Sequence, residues 1–464
     1  MQGSSSSSPT IDLPRLRAAF DGQVIAPDDP GYDQARTLFY GGWDRHPGAI
    51  VRPTDAAGVA RVVALAGDAG LELAVRGGGH SLAGHSTTEG GLVVDLSAMT
   101  DLEIDPEGRT AWAQTGLTAG AYTAAVGKHG LATGFGDTGS VGIGGLTLGG
   151  GVGFLVRRLG LTIDSLLAAE VVTADGRILQ VDDQHHPDLF WALRGGGGNF
   201  GVATRLRFRL HPVDQIVGGM LLLPASAEVI EGLVATAEAA PEELSGIANV
   251  MVAPPLPLLP EAAHGQLVVL ALLCYAGEAE AGERALAPFR ALAEPVADML
   301  QPMSYADMFA AEEEEYHPTA VSRTMLVDTV DREVAGTIMR HLEASDAPVR
   351  VAQLRVLGGA MARVPVEATA FAHRDSRIMV NLAAFYEGPD DRVVRQAWVD
   401  EFAAALHQGD SRAYVNFIGD EGPDRVREAY PGPTWDRLAE VKRRYDPGNL
   451  FRRNQNIPPA SGPA

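Results

Sequence analysis

The residues best suited to chemistry sit in Val75–His85, VRGGGHSLAGH, where three consecutive glycines run directly into a histidine. Consecutive glycines expose backbone N–H groups and accept positive φ, so they form an anion-binding nest and let a planar ring lie against the main chain. His80 then sets a reactive side chain beside that cradle. Such a loop can seat the phosphate of a cofactor.

Two further glycine clusters follow, Gly134–Gly153, in which half of the positions are glycine, and Arg194–Gly201 (RGGGGNFG). The first is interleaved with Val141, Ile143, Leu146, Leu148, Val152 and Phe154. Flexible linkers favour serine and polar residues, so this segment is expected to pack. Gly134, Gly136, Gly139 and Gly196, Gly198, Gly201 both fit G-x-G-x-x-G. The first span follows an expected helix and the second precedes an expected strand, so neither has the strand-before, helix-after setting of a dinucleotide fingerprint. The chain has no G-x-x-x-x-G-K-[ST] and no H-E-x-x-H. His80 and His85, five apart in a loop without clustered carboxylates, give no basis for a metal site.

The elements that must position these loops are legible from periodicity. Apolar residues at helical spacing predict a helix over Ala56–Gly70, with Gly70 as its left-handed cap, then a strand over Leu71–Val75. Gly91–Leu96 (GLVVDL) predicts a second strand, so the histidine loop joins strand to strand. Further expectations are a strand at Thr110–Thr115, a helix at Ala119–His129, a hairpin of Leu166–Thr173 and Arg177–Val181, a helix at Pro187–Leu193 and a strand at Val202–Leu210. From about 215 to 409 amphipathic helices (Ala227–Ala239, Glu278–Leu292, Arg332–Ala344) alternate with apolar strands (Leu267–Tyr275, Arg350–Val356, Arg377–Tyr386). This texture predicts an antiparallel sheet covered by helices. The tail offers a strand, Ala413–Ile418, a helix, Thr434–Arg444, and a glycine- and asparagine-bearing end that resembles the first region. The expected division is a disordered tip (1–10), a cofactor domain (11–214), a substrate domain (215–409) and a C-terminal return to the cofactor domain (410–464). The acidic run Glu312–Glu315 is expected to be a solvated helix face.

Composition narrows the function classes. With 464 residues, 46% of them apolar, the chain is long enough for two or three folded domains. A formal charge of −22 argues against a nucleic-acid or anionic-membrane partner. Cys274 is the only cysteine, which excludes an internal disulfide or a thiolate metal site. No segment approaches the roughly 20 apolar residues that span a bilayer, and no secretory leader is visible, so a cytoplasmic location is expected.

Six blocks in order, RGGGHS (Arg76–Ser81), GLVVDLS (Gly91–Ser97), VGIGGLTLGGGVG (Val141–Gly153), FWALRGGGGNFGV (Phe190–Val202), YVN (Tyr414–Asn416) and YDPGNLF with NQNIPP (Tyr445–Pro459), closely resemble the berberine-bridge-enzyme-like FAD-linked oxidases. The resemblance implies an α+β architecture, a two-part FAD-binding domain of the vanillyl-alcohol-oxidase (PCMH) type with an inserted substrate domain. It implies that His80 is bonded to the flavin 8α-methyl carbon. Many members add a second bond from a cysteine, but that position here is Thr138, so a single histidyl link is expected. By the same resemblance the cofactor is held by Arg76, Gly77, Gly78, Gly79, His80, Ser81, Gly84, His85, Ser86, Thr138, Gly139, Val141, Gly142, Gly144, Gly145, Gly149, Gly150, Val202, Tyr414, Asn416 and Asn454. Val141 falls where members carry a small residue that leaves molecular oxygen a path to the flavin, which suggests an oxidase.

Oxidation at a C–O or C–N bond requires a base near the departing hydride. The family uses the tyrosine of YVN as a base or as a hydrogen-bond partner on the flavin side. Tyr414 and Asn416, two apart on the expected strand, would share one face. A free tyrosine titrates near 10, so a base role needs a nearby cation or hydrogen bonds to the phenolate. A purely structural tyrosine bonded to backbone is the alternative. Gln353 and Arg355 share a face of the strand before Gly358, in a segment that lines the family's substrate cavity. Arg355 either supplies the cation or belongs to a surface ion pair. Asn381 and Tyr386 are weaker candidates, and the glutamate base of some plant members has no evident counterpart. The expected activity is an oxidase acting on an alcohol, amine or activated carbon of a small metabolite, with oxygen as acceptor. An oxygenase or oxidative cyclase on the same scaffold, and a non-catalytic member that sequesters a ligand, are the alternatives. A monomer and a homodimer are equally compatible.

Overall fold

The computed structural model describes residues 11–18, 22–255, 259–309, 316–409 and 411–462. The N-terminal tip expected to be disordered and the run Glu312–Glu315 lie outside the described residues. The fold is mixed α+β, with sheets of four, five and eight strands and a two-stranded ladder.

The four-stranded sheet is ordered Gln23–Ile25, Ala49–Arg52, Leu92–Asp95, Leu73–Arg76. The helix Ala56–Ala69 starts at Asp55, whose carboxylate accepts from the Gly58 N–H, and stops at Gly70 with φ of 63°. It feeds the strand Leu73–Arg76, which pairs in parallel with Leu92–Asp95. Parallel neighbours need a long crossover, usually a helix. Here the crossover is the non-helical loop 77–91, so the glycine–histidine motif is held at the end of a sheet.

The five-stranded sheet is antiparallel, in the order Leu102–Asp105, Thr110–Gln114, Val202–Arg209, Leu166–Val172, Ile178–Val181. Its core combines residues such as Phe135, Leu189, Phe200 and Phe208 with Val415, Tyr430, Leu438 and Ile457 from the C-terminal segment. A buried ion pair fixes that segment. Lys442, fully enclosed, lies 2.7 Å from Asp446 and donates to the Asn199 and Phe451 carbonyls. Asn199 in turn holds the Gln455 carbonyl and the Ile457 N–H.

The eight-stranded sheet is antiparallel throughout, and the helices Ala227–Ala239, Arg332–Ala344 and Gly388–Leu406 pack on it. Strand alternation divides its faces. Ala352, Leu354 and Val356 enter the helix-covered core, which leaves Gln353 and Arg355 on the other side. Register aligns Asn249, Gln353, Asn381 and Thr324 in one row across four strands.

Ala413–Ile418 corrects an expectation. Its β-branched and aromatic composition predicts a strand, yet it carries a 3-10 turn, Val415–Phe417. Side-chain bonds decide the conformation, since Asn416 Nδ2 donates to the Leu146 carbonyl and to the Tyr414 hydroxyl. Strand propensity reflects packing more than backbone preference, so such contacts override it. The first G-x-G-x-x-G span also differs from expectation, lying between the short strand Leu131–Ala132 and the helix Ile143–Leu148.

Candidate active site

The glycine loops, the polar face of the eight-stranded sheet and the C-terminal turn converge on one cavity of about 540 Å³, within the usual range for small-molecule sites. At one end lie Gly77, Gly78, Gly79, His80 and Ser81. Among the described residues, the backbone N–H groups of Gly78, Gly79, His80 and Ser81 have no protein acceptor. A row of unpaired donors is an anion nest. Gly78 and Gly142 interlock the two loops, since a Cβ on either would sit 2.3 Å from the other's backbone nitrogen. Gly145 and Gly198 line the cavity, and a Cβ on either would meet nothing within 4 Å, so bare backbone forms part of the wall.

His80 is clamped. Its ring stacks on Phe39 with centroids 3.9 Å apart, and Nε2 is hydrogen-bonded to Ser140 Oγ at 2.8 Å. Burial lowers its pKa to about 4, so the imidazole is neutral at neutral pH. His85 lies further along the same loop; among the described residues neither ring nitrogen makes a well-formed hydrogen bond, although the Gln455 side chain acts on the ring. Burial, reinforced by the Arg453 and Arg45 charges, lowers its pKa to about 4 as well. Among the described residues, Asn454 Oδ1 is likewise buried without a partner.

The other end is polar. The Tyr414 hydroxyl oxygen accepts from the Gly151 N–H at 2.9 Å, the Val152 N–H at 3.3 Å and Asn416 Nδ2 at 2.9 Å. Burial raises the phenol pKa, and these bonds together with the Arg355 charge work against that rise. Arg355 is 4% exposed, which removes the surface-pair alternative. Its guanidinium pairs with Asp137 at 2.5 Å, donates to Gln353 Oε1, and lies over the Phe417 ring. Gln353 Nε2 donates to Asn249 Oδ1. Among the described residues, Asn381 Oδ1 is buried without a partner.

Of the positions expected from sequence, the cavity gathers Gly77, Gly78, Gly79, His80, Ser81, His85, Ser86, Thr138, Val141, Gly142, Gly144, Gly145, Val202, Gln353, Arg355, Asn381, Tyr414, Asn416 and Asn454. Arg76, Gly84, Gly139, Gly149, Gly150 and Tyr386 are not among its lining residues. Arg76 lies behind the loop and donates to the Ala35 and Ser86 carbonyls. Gly84 packs on Trp43, Gly149 on the Asn416 amide, and Gly150 on Phe371 and Tyr414. The Gly139 carbonyl accepts from the Gly120 N–H.

Sequence reasoning missed Asp137, Phe39, Tyr40, Phe417 and Arg453, which all line the cavity. Asp137 stands next to Thr138 in GFGDTGS, where a lone carboxylate in a glycine loop carries no periodic signal. Phe39 and Tyr40 come from a segment with no motif.

An unpaired backbone nest, side-chain-free walls, unsatisfied His85 and Asn454 atoms, and apolar flanks from Leu73, Val75, Leu96 and Val202 fit a long cofactor with a phosphate part and a planar ring. Cys274, the sole cysteine, is buried outside the cavity lining, and burial pushes its thiol pKa up to about 12. Among the described residues there is no metal-binding cluster and no helix long and apolar enough to cross a membrane. Fold and site define a protein built to hold such a cofactor beside a polar substrate wall.

Comparison with known proteins specifies the class. The FAD binding domain family matches residues 47–182, and the berberine and berberine-like family matches 413–458. (R)-6-hydroxynicotine oxidase of Paenarthrobacter nicotinovorans is 32% identical over 95% of this chain and 97% of its own length. The crystal structure of 6-hydroxy-D-nicotine oxidase from Arthrobacter nicotinovorans superposes with a TM-score of 0.86 at 30% identity, covering 95% of this chain and 98% of that one. Glucooligosaccharide oxidase from Acremonium strictum, described with a 6-S-cysteinyl, 8α-N1-histidyl FAD, shares the fold at TM-score 0.85 and 24% identity, covering 97% and 99% of the two chains. The chain belongs to the berberine-bridge-enzyme-like family of FAD-linked oxidases.

Proposed function

We propose that the protein is an oxidase whose FAD is bonded to His80 alone, and that it oxidises an alcohol, amine or activated carbon of a small metabolite with molecular oxygen as acceptor. The observation that carries this is the single cavity joining a neutral, clamped histidine and a backbone nest to the Tyr414, Asn416, Arg355 and Gln353 group. Residues 11–214 and 410–464 serve the cofactor, and 215–409 supply the substrate wall.

When bound, the flavin supplies the hydride acceptor. The protein's own part is to seat it and to handle the proton. The N–H groups of Gly78 to Ser81 would hold its diphosphate, with the Arg453 charge on the same wall. Thr138, where relatives with two links carry sulfur, makes no bond to the cofactor. Tyr414 takes the proton from the substrate O–H or N–H. Its oxygen meets three donors, which stabilise the phenolate that must be present before it can accept that proton. Arg355, held by Asp137 and Gln353, adds a fixed cation to the same wall. Asn381, with an unsatisfied acceptor, orients the substrate.

The test has two parts. Flavin should survive acid precipitation of the wild-type protein and be released from His80→Ala. Anaerobic mixing with a panel of alcohols, amines and sugars should bleach the flavin for one class, with peroxide formed on readmitting oxygen. Full acid retention of flavin by His80→Ala sinks the tether, and absence of bleaching across the panel counts against turnover.

A further inference from the structure

The tether reading leaves open what prepares His80 for bond formation, since a histidine in a glycine loop has two nitrogens and a mobile ring. We propose that Ser140 and Phe39 are positioning residues for covalent flavin attachment: together they fix the His80 ring plane and hold the proton on Nε2, so that Nδ1 carries the lone pair that bonds to the cofactor. The proposal rests on the assignment of His80 as the tether.

The geometry gives each residue a separate task. Phe39 stacks on the imidazole at a 3.9 Å centroid distance and 20° between planes, which removes ring rotation about the side-chain bonds. Tyr40 adds an edge contact at 6.5 Å. Ser140 Oγ lies 2.8 Å from Nε2. With Ser140 Oγ as the acceptor and the ring as the donor, Nε2 is the N–H of the neutral imidazole and the other nitrogen keeps its lone pair. Ser140 is brought there by the Gly78–Gly142 interlock, because no side chain at either glycine fits between the two loops. Asp137 is the charged group that acts on the ring, and burial outweighs it, so His80 stays neutral. A neutral imidazole is the nucleophilic form.

One C–H bond of the 8α-methyl group breaks and an Nδ1–C bond forms. The 8α proton, the Nε2 proton displaced from the cationic imidazole, and two electrons remain with the reduced cofactor. Dioxygen, the acceptor of the proposed oxidase, then removes them as hydrogen peroxide. Ser140 faces the Nε2 proton as positive charge develops on the ring.

The experiment reads attachment and needs no substrate. Wild type, Ser140→Ala, Phe39→Leu and the double variant are purified, and total and acid-stable flavin are measured as isolated and during incubation with added FAD in air. Each single variant should bind flavin in wild-type amount but attach it about tenfold more slowly, the worth of one lost hydrogen bond or ring contact. The double variant should carry flavin that acid releases. Ser140→Thr and Phe39→Tyr should restore attachment. Wild-type attachment rates in both single variants overturn the proposal while leaving the tether intact. Acid-stable flavin in His80→Ala overturns the tether itself. Should Ser140→Ala not fold, Ser140→Cys keeps the volume, weakens the acceptor and must show the same slowing.

Discussion

Arg355, from the eight-stranded sheet, and Asp137, from the glycine loop between Gly136 and Thr138, form an ion pair at 2.5 Å that ties the sheet to the cofactor-side loop. The arginine side chain is 5% exposed and the aspartate 22%. Removing one partner of such a pair strands the other charge, which costs about 3–5 kcal/mol. Asp137→Asn and Arg355→Met are each expected to lower unfolding free energy by about 3 kcal/mol, with the double variant less destabilised than the sum of the two. Denaturant titration of the four proteins checks this, and strict additivity would show that the pair is not coupled.

Tyr414→Phe takes the acceptor away from Gly151, Val152 and Asn416 together. Anaerobic flavin reduction by whichever substrate bleaches the wild type should slow by about 10²–10⁴-fold, the usual worth of a positioned base. Because burial raises the phenol pKa, the wild-type rate should climb with pH into the alkaline range, and the phenylalanine variant should lose that rise. A pH profile unchanged by the substitution assigns the proton elsewhere.

Gly78→Ala drives a Cβ to 2.3 Å from the Gly142 nitrogen and 2.8 Å from the Ser140 carbonyl oxygen, both backbone atoms that cannot rotate away. Flavin content per protein should collapse. Gly145→Ala, at a position with nothing within 4 Å, should fold normally, so that any effect there falls on flavin binding alone. Absorbance ratios of the purified proteins distinguish the two.

His85 gives the apoprotein an acid weakness. Its folded pKa of about 4 lies below the 6.5 of a free histidine. Between those values the unfolded chain binds a proton that the folded chain refuses, so stability rises with pH through this window. The contribution is complete above pH 6.5 and is lost as pH falls toward 4, on the order of 3 kcal/mol in all. Thermal unfolding of flavin-free protein should become steeply pH-dependent there, and less so in His85→Asn. Equal slopes in the two proteins would locate the acid sensitivity in other groups.

Much of the site follows from local sequence. Glycine runs dictate bare backbone wherever they fall, so Gly77–Gly79 and Gly142–Gly145 were legible as cradle, and His80 was fixed beside them by adjacency. Strand alternation alone put Gln353 and Arg355 on one face, because the side-chain period of a strand is two, and packing made it the face away from the helix-covered core. Tertiary structure decided what those side chains meet. Arg355 finds Asp137 across 218 positions of sequence, and Phe39 reaches His80 from a segment with no pattern of its own. It also turned Ala413–Ile418 from a strand into a bend, since Asn416 gains more from the Leu146 carbonyl and the Tyr414 hydroxyl than from a ladder with no partner. Residue type and spacing set the backbone and the faces. Which charges and rings come together depends on how three sheets close on one cavity, and no local rule encodes that.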